Sequence, residues 1–167
     1  MLIKIVRNIL FIIIINLLFI RCDNSIQNSD FKNFAVKDTA NISKFRISDT
    51  EGNEILISRE NSSKTWMING TNFKANQPSV DLLMETFYRI RVKQDVPISA
   101  LKTVINRLSV RHKKVEIFTK NKLPLKTWYI GSPTQDHTGT YMLLQLNQDK
   151  GKKPYVTYKP GMYGTLE

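Results

Sequence analysis

Ser132, Asp136 and His137 fall within the short segment Gly131–Gly139, where a hydroxyl, a carboxylate and an imidazole come close together along the chain. Those are the residue types of a hydrolytic triad, but a triad is set by geometry in space and not by nearness in sequence. No Gly-x-Ser-x-Gly elbow accompanies them. The segment Gly-Ser-Pro-Thr-Gln-Asp-His-Thr-Gly is built from turn formers, whose short polar side chains bond to nearby backbone. A structural turn is the preferred reading, and a hydrolase using His137 with Ser132 ranks last. Metal chemistry has less support still. His112 and His137 are 25 residues apart, Cys22 is the sole cysteine, and no His-x-x-x-His pair is present. No glycine-rich phosphate loop occurs either, so no cofactor is expected and the chain is read as a non-enzyme.

Binding is the alternative to catalysis. Trp66, Trp128, Tyr129, Tyr141, Tyr155, Tyr158 and Tyr163 are concentrated on segments that read as strands. They suit either a stacking platform for carbohydrate or peptide, or an ordinary sheet core, because aromatic residues favour both. The candidate partner or ligand surface is therefore Trp66 and Trp128 with Ser132, Thr134, Asp136 and His137.

The elements that must carry these residues follow from periodicity. Phe45 and Ile47 alternate with Lys44, Arg46 and Ser48, as in a half-buried strand. A turn at Asp49–Asn53 leads to a second strand through Ile55 and Ile57. A third, Trp66–Ile68, ends at the hairpin dipeptide Asn69-Gly70, and Phe73 lies in a short return strand. The period then changes. After Asn76-Gln77-Pro78, the residues Val80, Leu83, Met84, Phe87 and Ile90 form a helical stripe. A short extended stretch, Arg91–Val96, ends at Pro97, and Leu101, Val104, Ile105 and Leu108 form a second stripe. Strands resume at Val115–Phe118, Leu125–Ile130, Tyr141–Leu146 and Tyr155–Tyr158. The order βββ(β)-αα-ββββ predicts an α+β domain, a mainly antiparallel sheet with two consecutive amphipathic helices on one face.

The N-terminus is different material. Lys4 and Arg7 precede the apolar run Ile9–Ile20, broken by Asn16, which is signal-peptide length and shorter than the roughly 20 residues of a spanning helix. Cys22 closes the run. This pattern predicts a lipoprotein-type signal over residues 1–21, cleavage before Cys22 and lipid attachment to its thiol, since several acyl chains on one residue anchor stably. The competing reading is an uncleaved anchor, which Arg21 favours because lipoprotein signals place a small residue there. Both readings export the domain. Residues 22–33 read as a polar, flexible tether and 34–167 as a single domain. The last residues, Pro160–Glu167, form no closing element, which suits the N-terminal part of a longer protein.

The whole chain of 167 residues carries 25 Lys and Arg against 14 Asp and Glu, a formal charge of +11. Loss of residues 1–21 removes three cations and no acid, leaving about +8. At 41% hydrophobic and 23% charged the composition excludes a disordered or collagen-like chain, and one cysteine excludes a disulfide scaffold. A basic surface beside an anionic membrane accounts for the charge, and export argues against nucleic acid as a partner.

Several segments together resemble the DUF4340 lipoproteins of Bacteroidota, a family of unknown function. They are Phe34–Thr39 with Ile42–Phe45, Trp66–Gly70, Ile90–Pro97, Tyr129–Thr134 with Gly139–Met142, and Lys153–Val156 with Pro160-Gly161. The resemblance implies an α+β fold and envelope placement, and it brings no catalytic residues. The expected protein is thus a membrane-anchored lipoprotein facing the periplasm or cell surface. It would serve as a binding or assembly accessory with an envelope protein partner, the alternative being a carbohydrate- or peptide-binding module.

Overall fold

The computed structural model describes residues 30–60, 63–146, 149–151 and 153–162. Cys22, the signal and most of the tether lie outside the described residues, as does the end of the chain from residue 163. The domain is α+β, as the periodicity predicts. Its strands are β1 (Lys44–Asp49), β2 (Glu54–Ser58), β3 (Met67–Ile68), β4 (Arg91–Asp95), β5 (Lys113–Phe118), β6 (Lys126–Pro133), β7 (Thr140–Leu146), β8 (Asp149–Lys150) and β9 (Tyr155–Tyr158). The helices are α1 (Gln77–Arg89) and α2 (Ile98–Val110). Among the described residues these strands form one sheet in the order β3-β2-β1-β5-β6-β7-β9-β4, with β8 also paired to β7. Every pairing is antiparallel. No helix among the described residues is long and apolar enough to cross a membrane.

Local chemistry explains the punctuation. The Asp49 carboxylate accepts from the backbone N–H of Glu51 and Asn53, at 2.9 and 3.0 Å, and closes the β1–β2 turn, where Gly52 takes φ +91°. The Asn76 side chain accepts from Ser79 N at 3.0 Å and caps α1, with Pro78 in the first turn. Helix α2 starts after Pro97 without a side-chain cap. The return strand expected at Phe73 is reduced to one bridge between Met67 and Lys74.

The two helices do not share a face. Val80 and Phe87 of α1 pack with Phe45, Trp128, Met142 and Leu144. Val104 and Leu108 of α2 pack with Val156 and with the partly buried Tyr129, Tyr141 and Leu143. Neighbouring residues on a strand point to opposite faces, so Trp128 and Tyr129 mark the two sides of the sheet and each side has its own helix. The expectation of two helices on one face is corrected by β4. The extended stretch between the helices is the edge strand, paired with β9, and the chain crosses from one face to the other around it.

Residues 30–33, expected as tether, belong to the domain. Asp30–Lys32 forms a 3-10 turn, Lys32 pairs with Asp95 at 3.1 Å, and Phe34 is 1% exposed.

Candidate functional site

The segment containing the candidate residues divides in two. Strand β6 runs on through Gly131 and Ser132 to Pro133, with an irregular register between Ile130 and Pro133, and Pro133 pairs with Thr140. Only Thr134–Gly139 is loop. It is closed at its base by Thr134 N donating to Gly139 O at 2.8 Å and Gly139 N donating to Thr134 Oγ1 at 3.1 Å.

Asp136 organises the interior of the loop. Its Oδ1 accepts from the Thr134 hydroxyl at 2.5 Å and from Thr138 N at 3.2 Å, and its Oδ2 accepts from the Thr138 hydroxyl at 2.6 Å. These bonds, Thr134 first, hold its carboxyl well below the usual carboxylate range, helped by the charge of Lys93. Lys93 on β4 donates to Thr138 Oγ1 at 2.6 Å, which ties the loop to the edge strand. His137 sits at the tip with φ +53°, and its backbone N–H donates to Thr134 O at 2.9 Å.

This arrangement does not assemble a hydrolytic site. Among the described residues, neither Ser132 nor the His137 imidazole hydrogen-bonds to Asp136, whose oxygens are taken by two threonines. Ser132 is exposed on β6 across the irregular register, and His137 is exposed at the loop tip. A base needs its nucleophile within hydrogen-bond reach and a third group to orient it, and neither relation is present. No group of three or more His, Cys, Asp or Glu among the described residues is placed to hold a metal ion.

Trp66 and Trp128 are the sharper correction. They are 3% and 2% exposed, in the core under α1. The Trp66 ring lies 5.4 Å from Phe45, and Trp128 meets Phe87 edge-to-face at 5.3 Å. A stacking platform needs open ring faces, and these rings are spent on the core, with the Arg59 guanidinium 4.7 Å over that of Trp66. Their side chains fall on the face that α1 covers, a fact the strand pattern alone leaves undecided.

What the fold does place beside Thr134 and Asp136 is an open cleft of about 220 Å³. Its walls are Lys93 and Gln94 of β4, Pro97 at the start of α2, Gln135 and Asp136 of the loop, and Tyr141. Tyr141 was among the aromatics weighed for a platform, but Lys93 and Gln94 escape sequence reasoning because β4 carries a single apolar residue, Val92, and shows no strand alternation. The signal available was Pro97 itself, which ends an extended stretch and so sets β4 next to a helix start. A second cleft, of about 390 Å³, runs between the N-terminal segment and the α1–β4 corner, with Lys37, Tyr88 and Arg91 on its walls.

Compared with known proteins, the chain matches no family model, and neither the curated proteins nor the solved structures provide a significant match.

Proposed function

We infer that the protein is an exported, lipid-anchored domain of the bacterial cell envelope, non-enzymatic, and an accessory that binds a protein partner there. The likeness of its segments to the DUF4340 lipoproteins belongs to the same proposal. Support for the address is the positive n-region, the apolar run Ile9–Ile20 and Cys22 at its close. Support for the binding role is the loop Thr134–Gly139, stiffened from within by Asp136 and fastened to the sheet edge by Lys93, beside an open cleft. A surface that is rigid before its partner arrives loses little ordering entropy on binding. That cleft at the edge is the observation that carries the reading.

The edge is not suited to plain strand addition. Strand β4 has a register shift between Val92 and Gln94 and carries Arg91 and Lys93. A bulge and basic side chains are the means by which sheets keep extra strands from pairing. The partner is therefore held by side chains of the cleft rather than by a continued ladder.

The test places a photoreactive phenylalanine analogue at Gln135, or at Glu54 as a control toward the opposite edge of the sheet, in full-length protein in intact cells. Position 135 should capture one envelope protein in the membrane fraction, and position 54 should not. Tagged protein recovered in the soluble cytoplasm would overturn the address, and identical capture profiles at both positions would overturn the binding surface.

A further inference from the structure

The connection between β5 and β6 ends in Lys120-Asn121-Lys122-Leu123-Pro124-Leu125. Leu123 is 54% exposed and Leu125 39% exposed, at a tip where a hairpin ordinarily carries polar residues. Lys120 and Lys122 beside them form no ion pair among the described residues, and no acid occurs between Glu116 and Asp136. An apolar tip beside unpaired cations has the chemistry of a group that sits at a lipid headgroup boundary, where leucines enter the apolar layer and ammonium groups stay at the phosphates.

The position of this tip in the sheet gives it a membrane to meet. The β5–β6 tip lies at the end of the sheet where Lys126 pairs with Leu146 and Lys44 with Phe118. The N-terminal segment enters at that same end. Lys126 Nζ donates to the carbonyl oxygens of Asn33 and Ala35, and Phe31 lies against Gly151, next to β8. Lys44 and Lys150 add cations there. Asp95 is already paired with Lys32 and Lys153, at 3.1 and 3.0 Å, and the opposing exposed carboxylates are Asp149, Asp30 of the N-terminal segment and Glu60 just past the end of β2. From Cys22 to Asp30 the chain has eight residues, which span at most about 28 Å fully extended. An anchored Cys22 thus keeps this end of the sheet near the bilayer. The loop Thr134–Gly139 is at the other end of β6 and β7, roughly 20–25 Å away by strand rise.

We propose that the tip Leu123-Pro124-Leu125 inserts into the headgroup boundary of the anionic membrane that holds Cys22, with Lys120 and Lys122 on the phosphates. Insertion orients the domain, so that the Thr134–Gly139 cleft faces away from the bilayer. The proposal rests on the anchored reading above.

The experiment uses the full chain purified from membranes and reconstituted into phosphatidylglycerol vesicles with brominated acyl chains. Leu123→Trp reports the tip, and Glu54→Trp reports an exposed position at the β1–β2 turn, at the other end of β1. The two native tryptophans supply a shielded background. Emission from Leu123→Trp should shift to the blue and fall about twofold with brominated lipid, and Glu54→Trp should be unchanged. Reversing the flanking charges with Lys120→Glu and Lys122→Glu should remove most of that quenching. Protein that floats with the vesicles while Leu123→Trp stays unquenched overturns the insertion and leaves the anchor standing. Protein that fails to float overturns both.

Discussion

Lys126 Nζ, on the first residue of β6, donates a 2.6 Å hydrogen bond to the main-chain oxygen of Ala35, and a second goes to Asn33 O. One buried ammonium thus fastens the N-terminal segment to the end of an interior strand of the sheet. Burial lowers its pKa to about 8, with a smaller contribution from the charge of Lys37.

The sign of the pH dependence follows. Below pH 8 both folded and unfolded chains hold the proton, and the folded state bears the cost of a buried charge. Between about 8 and the ordinary lysine value of 10.5 the folded chain releases it first, so this group makes stability rise with pH. The neutral amine still has two N–H groups for its two carbonyls, so the contact survives deprotonation. Denaturation midpoints compared from pH 7.5 to 10.5 should show a rising component that Lys126→Met lacks. At neutral pH the same variant should lose about 1–3 kcal/mol, because two carbonyls are left without their donor.

Trp128 is a packing residue, between Phe34 at 6.5 Å and Phe87 at 5.3 Å. Its indole N–H finds no acceptor among the described residues. Trp128→Ala should cost about 3–5 kcal/mol, as large-to-small core substitutions do. Trp128→Phe should cost clearly less, since it retains an aromatic ring in the core and removes an unpaired buried donor. Urea midpoints decide this, and equal losses in the two variants would contradict the packing account. Acrylamide should quench the unmodified protein weakly, because both tryptophans are shielded.

Gly139 closes the candidate loop where no side chain fits. A Cβ there would lie 2.6 Å from Val156 Cγ1 and 2.9 Å from Thr157 O, the second being backbone of β9, which is paired on both sides. Gly139→Ala should therefore destabilise by about 1–3 kcal/mol through overpacking. Ser132→Ala, at an exposed position on the same hairpin, should stay within about 0.5 kcal/mol of the parent protein. Comparable losses from both would mean that the hairpin is intolerant in general and that the close approach at Gly139 is not the cause.

Much of the architecture is legible in the sequence because it is local. Alternation at Phe45 and Ile47 specifies a strand with one apolar side, the i, i+3, i+4 spacing of Val80, Leu83 and Met84 specifies a helix, and Asp49–Asn53 specifies a turn. Each is a property of a few neighbouring residues and their backbone. The α+β class follows from the order of such pieces. The turn character of Asp136 was legible for the same reason, since its hydrogen bonds reach only two residues along the chain, whereas Ser132, read as a turn residue beside it, lies on β6.

Which side each piece faces was left to the tertiary structure. Strands β6 and β7 are apolar on both faces, with Trp128 and Leu144 on one and Tyr129 and Leu143 on the other, so an apolar stripe on a helix fits either side equally well. The choice was made by Arg91–Asp95, which is legible as extended but bears no mark of its partner, and which backbone bonds to β9 hold at the sheet edge. That one pairing carries α2 to the opposite face, buries Trp128 under α1, and sets Lys93 within reach of Thr138. Backbone hydrogen bonds between residues some 60 positions apart leave no periodic mark in a sequence, and they decide where this chain keeps its open surface.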